Sequence, residues 1–381
     1  MDNSNQYGMT KLMTDYATDG NLTIAEAKAK LQADAYIRTA SETLARYCGI
    51  AGDDLTALKK RVSGLLFDSD PSQKRDSIDR NVRKWVNSKV QFISKENALK
   101  LVYALHLSAK DAEEMMWRLC GEGFHWRDPQ DIVWLYAIEH EMNYADACAL
   151  SLRMASAYQL SEDDQDTMTE NIKQLVRQIQ TEDELLTFLK ETAPHLGKLH
   201  NTAYKLFTDF MELLKSANME DNLPAARNMP AKEIVTTYLY NNLIPRAKKI
   251  KGSKSVEKTV KDAIQRDIQQ NWPDEYSLSR MANRETDVTR KVLILLFLAC
   301  DGGETKYGDY SNETREDIFE DTYARLSSML ADCGFPPLDS RIPFDWMILY
   351  CMVADDFVDI DDNIPQFLSE IFRNPLDDTE G

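Results

Sequence analysis

Arg127-Asp128-Pro129-Gln130-Asp131-Ile132-Val133-Trp134-Leu135-Tyr136 and Arg341-Ile342-Pro343-Phe344-Asp345-Trp346-Met347-Ile348-Leu349-Tyr350 state one pattern twice. The first follows Cys120-Gly121 after five residues, the second Cys333-Gly334 after six. Their common form is Arg-x-Pro-x-Asp, three apolar residues, then Leu-Tyr. Proline suits the first position of a helix, where its missing N–H removes no bond. An Asp two residues later falls in the first turn, against unpaired N–H groups and the positive end of the helix dipole. The apolar run that follows predicts a buried helix. The Arg before each Asp is placed to reach back across the turn. Arg127–Asp131 and Arg341–Asp345 are therefore expected to fix a loop-to-helix junction. A reacting pair is the weaker reading, because no nucleophile or base accompanies either acid.

The match continues outward from this motif. Upstream of Cys120 lie an amphipathic stretch from Glu96 to His106 and a second helical segment from Ala109 to Leu119. Upstream of Cys333 lie Arg290 to Cys300 and Glu320 to Leu330, separated by an extra polar loop over Asp301 to Asn312. Further back, Ser77-Ile78-Asp79-Arg80 answers Ser277-Leu278-Ser279-Arg280. The pieces come in one order in both copies, which predicts two related helical modules. The expected organisation is an N-terminal helical region over 1–72, module 1 over 73–158, a helical connector over 159–245 and module 2 over 246–381. Pro194 and the loop-like run from Asn222 to Pro230 punctuate the connector. Two copies are too few for a solenoid, which needs three or more stacked units.

Helical spacing of apolar residues dominates the rest of the chain. Ile172, Leu175, Val176 and Ile179 form one stripe; Ala203, Leu206, Phe207 and Phe210 form another. Helix starts are marked by Thr23, Ser94, Ser108 and Thr181, each followed by acidic or polar first-turn residues. Strand-like alternation bounded by hairpin turns is nearly absent. The fold class expected is all-α and multi-helical.

Composition narrows the partners. Against 63 Asp and Glu stand 45 Lys and Arg, a formal net charge of −18. A uniformly acidic surface repels nucleic acid and anionic membrane. The charge is uneven, however. Residues 74–95 hold Lys74, Arg75, Arg80, Arg83, Lys84, Lys89 and Lys95, and residues 244–266 include Lys248, Lys249 and Lys251; acids gather in Glu162-Asp163-Asp164 and from Asp355 to Asp362. The longest apolar run, Val292 to Cys300, falls well short of the roughly 20 residues of a membrane helix, and the polar N-terminus has no signal pattern. These features predict a cytoplasmic chain that uses no membrane. Its six cysteines, at 48, 120, 148, 300, 333 and 351, lack metal-ligand spacing and are expected as small buried apolar residues.

No residue pattern calls for a metal or a cofactor, and no enzyme signature is present. His125 has no counterpart in the second copy, His140 has no second His at helical spacing, and His195 and His200 flank Gly197 at a poor ligand spacing. Asp359-Ile360-Asp361-Asp362-Asn363 lacks the Gly and terminal Glu of a calcium loop, and is expected to cap a helix beginning near Ile364-Pro365.

The stretch Ser77 to Ser108 resembles the reading half of a phage-repressor-type helix-turn-helix domain. Ile78 to Lys89 corresponds to the recognition helix and turn, and Ile93 to Ser108 to the helix that follows, with its closing Leu-Ser. The resemblance implies DNA contact by Arg80, Arg83, Lys84 and Lys89, with Trp85 as a packing anchor. The second copy, Ser277 to Cys300, keeps Arg280, Arg284 and Arg290 but has no Trp. Two functions follow as expectations. The first is a non-enzymatic regulatory or adaptor protein that binds a protein partner through its duplicated helical modules. The alternative is a DNA-binding regulator that uses the basic stretches 74–95 and 244–266.

Overall fold

The computed structural model of the chain describes residues 23, 25–27, 29, 38–87, 92–121, 123–157, 169–197, 201–217, 230–245, 263–270, 272–305, 315–352 and 360–372. Among these residues the regular secondary structure is entirely helical, as the sequence predicts. None of the helices is long and apolar enough to cross a membrane. The chain divides into two compact units, Arg38–Asn201 and Thr202–Gly381 with Met1–Ile37.

In the first unit, α1 (Ala40–Cys48), α2 (Leu55–Ser69) and α3 (Arg75–Asn87) precede α4 (Lys95–Ala104), α5 (Ala109–Cys120), α6 (Pro129–Glu139) and α7 (Tyr144–Ala157). The α2 helix packs on α1, α3 and α4; α4 packs on α5 and α7; and α6 lies against α5 and α7. The α3 helix shows why this arrangement forms. Ile78, Val82, Trp85 and Val86 recur at helical spacing and are buried, while Arg80, Arg83 and Lys84 stay on the surface. By contrast α6 is apolar all round, and every residue from Ile132 to Ile138 is buried. A helix of that kind can only sit inside a core.

The expected boundaries do not coincide with these units. Helices α1 and α2, assigned by sequence to a separate N-terminal region, supply Leu44, Leu58, Val62 and Leu66 to the core of the first unit. The same core takes Ile172 and Val176 from α8 (Thr169–Val176) and Leu185 and Leu189 from α9 (Glu182–Glu191), both expected in the connector. The amphipathic stripes of these four helices need a partner face, and the module's own helices provide it.

In the second unit, α10 (Asn201–Ala217), α11 (Ala231–Thr237) and α12 (Ala263–Gln269) precede α13 (Glu275–Ala282), α14 (Arg290–Thr305), α15 (Arg315–Asp332), α16 (Pro343–Cys351) and α17 (Ile360–Phe372). The α14 helix packs on α15 and α17, and α16 on α12 and α17. Val292 to Leu298 are buried without a break, as are Pro343 to Leu349. Part of the polar insertion expected over Asp301 to Asn312 is helical, because α14 runs on to Thr305. The last helix starts at Ile360 and continues through Pro365, earlier than the start expected near Ile364, and is held by buried Ile364, Phe367, Leu368 and Ile371. The acids at 355, 356 and 359, and Glu162-Asp163-Asp164, lie outside the described residues.

The helix starts are those the sequence marks. Ser94 and Ser108 accept the Asn97 and Asp111 N–H groups, Thr181 and Glu184 form a reciprocal capping box, and Thr23 and Glu26 bond each other in the same sense. Pro129 and Pro343 occupy first-turn positions. Cys333 and Cys351 are buried, while Cys48, Cys120, Cys148 and Cys300 are half-buried, and none of the six is in a disulfide.

Candidate functional site

Asp131 and Asp345 sit in the first turns of α6 and α16 and are buried. Each carboxylate accepts the backbone N–H six residues earlier, from His125 and Asp339 respectively, at 2.8 Å in both cases. Each also meets a cation at the first residue of an earlier helix. Lys95 Nζ, opening α4, lies 2.8 Å from Asp131 Oδ2. Arg290, opening α14, bonds Asp345 through Nη1 and Nη2 at 2.8 and 2.9 Å. The residue before each cation caps its helix by hydroxyl, Ser94 to the Asn97 N–H and Thr289 to the Val292 N–H.

This geometry corrects the expected pairing. The partners of the two acids are Lys95 and Arg290, not Arg127 and Arg341. Residues preceding a proline are pushed to extended backbone, and Asp128 (φ −86°, ψ 114°) and Ile342 (φ −102°, ψ 124°) both adopt it. That approach carries the arginine away from the turn. Arg127 is buried and donates through Nη1 to the His195 carbonyl at 3.2 Å, while its own carbonyl accepts the Gly197 N–H. Arg341 donates its backbone N–H to the Asp339 carboxylate. Tyr136 is buried beside the ring of His140, and Tyr350 is half-buried beside that of Trp346. Both ring nitrogens of His140 lie on carbonyls, those of Tyr136 and Gln180.

A second polar cluster in the same unit as Asp345 escaped the sequence reading. Lys291 Nζ donates to the carbonyls of Asp267, Ile268 and Gln270 at the C-terminal end of α12, and lies 4.5 Å from the centre of the Phe344 ring. The Asp267 carboxylate accepts the Phe344 N–H at 3.0 Å. Burial lowers the Lys291 ammonium to about 8, against the attraction of Asp267 and Asp345, and burial also raises the Asp267 carboxyl. The cluster ties α12, α14 and α16 together. In the first unit Lys100 plays a comparable part, bonded to Asp70 and Glu96 at 3.0 and 2.7 Å.

The residues expected to contact DNA fall in both units. Arg80, Arg83 and Lys84 are exposed on α3, with Trp85 buried behind them. In the other unit Arg280 pairs with Glu285 at 3.4 Å, and Arg284 lies 4.2 Å from the centre of the Tyr204 ring. Lys89, Lys248, Lys249, Lys251 and His200 lie outside the described residues.

A cleft of about 540 Å³ opens in the first unit between the α4–α5 and α6–α7 turns. Val102, Leu107, Ile138 and Met142 form its apolar wall; His106, Ser108, Glu139 and Glu141 supply its polar groups. His106 (φ 49°) and Glu141 (φ 52°) both hold left-handed backbone. Each turn closes like a helix C-cap, Leu107 N–H to the Val102 carbonyl and Met142 N–H to the Ala137 carbonyl. Such positions usually carry Gly, so nothing in the sequence marked them. Burial raises the Glu139 carboxyl, partly offset by Arg177 and His140. Among the described residues, no group of three or more His, Cys, Asp or Glu side chains is placed to hold a metal ion.

No family model, no curated protein and no solved structure matches this chain.

Proposed function

We propose that the chain is a non-catalytic regulatory or adaptor protein that engages a macromolecular partner through two related helical modules. One observation carries this reading. The most distinctive polar residues in the sequence, Asp131 and Asp345, are buried and engaged in holding a loop against a helix. Their matched bonding, one N–H from six residues back and one cation from the start of an earlier helix, is what a duplicated building block would retain for packing. Residues committed in this way are not available for turnover, and the exposed helix faces are left to meet a partner. A cytoplasmic setting suits six cysteines that form no disulfide.

Affinity capture with the folded chain as bait, followed by reconstitution from purified components, tests the reading. A binary complex with a protein at micromolar concentrations is the expected result. Failure of every captured protein to form one would overturn it.

The second reading, a DNA-binding regulator, is favoured by one feature: Arg80, Arg83 and Lys84 stand exposed on α3, opposite its buried Ile78, Val82 and Trp85. Phosphate contacts make affinity fall steeply with salt. Duplex binding at low and physiological salt therefore separates the readings. Salt-sensitive binding abolished by charge reversal at Arg80, Arg83 and Lys84 would establish the DNA reading; absence of binding at low salt would remove it.

A further inference from the structure

The cleft between the α4–α5 and α6–α7 turns combines two features that point to one kind of ligand. Its wall is apolar, from Val102, Leu107, Ile138 and Met142. Its polar groups include two carboxylates, Glu139 and Glu141, which make no ion pair among the described residues. Ser108 is already committed, capping α5 by accepting the Asp111 N–H.

We propose that this cleft receives a basic side chain of a protein partner, its alkyl stem along the apolar wall and its cationic head toward Glu139 and Glu141. The inference rests on the adaptor reading and names the chemistry by which that partner is held. A long basic side chain has the required shape, an apolar stem carrying a charge at its tip. Charge decides between ligand classes. An anion, including the phosphate of a nucleic acid, would meet two carboxylates on a chain of net charge −18, whereas a basic partner is drawn in by the same field.

The test is fluorescence anisotropy with the full chain and a labelled Gly-Ser-Leu-Lys-Leu-Ser-Gly peptide, beside the same peptide acetylated on its lysine. Saturable binding of the lysyl peptide is expected, weakened about tenfold or more by acetylation, which removes the charge. The Glu139→Gln/Glu141→Gln double variant should lose affinity to a similar extent. An Asp183→Asn/Glu191→Gln variant, which removes the same charge from exposed α9, should not. Circular dichroism establishes that both variants are folded. Absence of saturable binding overturns the proposal, as does equal binding of the acetylated peptide. Equal weakening by the two double variants overturns it too, because only the general field would then be acting. The adaptor reading is judged separately: a reconstituted complex that forms equally well with the Glu139→Gln/Glu141→Gln variant sinks the cleft and leaves that reading standing.

Discussion

Arg290 grips Asp345 by both carboxylate oxygens, Nη1 to Oδ1 at 2.8 Å and Nη2 to Oδ2 at 2.9 Å, and the same guanidinium donates to the carbonyls of Pro336 and Pro337. The Asp345 side chain is 1% exposed and that of Arg290 16%. Removing one partner of a buried pair leaves the other charge without compensation, at about 3–5 kcal/mol. Asp345→Ala should lose stability on that scale in urea denaturation. Lys95→Met should lose a comparable amount, because the Asp131 side chain it leaves behind is only 4% exposed. A negligible loss in Lys95→Met would show that the Asp131 carboxylate does not depend on the ammonium.

Lys291 makes a prediction about alkaline pH. Burial lowers its ammonium to about 8 in the folded chain, whereas an unfolded lysine titrates near ~10.4. Between these values the unfolded chain binds more protons than the folded one, so this residue makes stability rise with pH across that window. Below about 8 both states carry the proton, and the burial cost is fully present. Lys291→Met removes the rise. The stability of the wild type relative to this variant should therefore grow between about pH 8 and pH 10. Denaturation curves at several pH values check it, and a flat difference would contradict the assignment.

Gly123 is required by space. A Cβ there would lie 2.5 Å from Trp117 Nε1 and 2.7 Å from Cε2. A rigid indole cannot give way by bending its end, so Gly123→Ala must displace the ring or the backbone. Overpacking of this kind costs about 1–3 kcal/mol. Thermal unfolding should show the loss, and Gly123→Ala combined with Trp117→Phe should recover part of it.

The left-handed turns give the opposite sign. His106→Gly and Glu141→Gly each relieve a side chain held at positive φ, and glycine is the usual residue at such a cap. Each substitution should stabilise the first unit by about 0.5–1 kcal/mol, read as a raised denaturation midpoint. A loss of stability would mean that these side chains make contacts worth more than the strain.

The helical class and most helix starts could be read directly, because caps and apolar stripes are local signals. Ser94, Ser108 and Thr181 sit next to the N–H groups they satisfy, and Pro129 and Pro343 next to the turns they begin. The acids of the repeated motif could be located, but their partners could not. Lys95 precedes Asp131 by 36 residues and Arg290 precedes Asp345 by 55, so no local spacing joins them. A signal did exist in the paired dipeptides Ser94-Lys95 and Thr289-Arg290, a capping hydroxyl followed by a cation at a helix start. The unit boundaries were hidden for a similar reason. The stripes of α1, α2, α8 and α9 declare a buried face but not which face covers it. The cleft was invisible because His106 and Glu141 stand where a sequence reader looks for glycine.

The amides of His125 and Asp339 lie in irregular loops, yet each donates to a carboxylate that is itself anchored to another helix. Neither can exchange its hydrogen with solvent by a small local flutter; the acid must first let go, and it is fastened elsewhere. These two positions should thus tick far more slowly than their loop neighbours in deuterium labelling, as paired clocks of whether each bundle opens piecemeal or as one body.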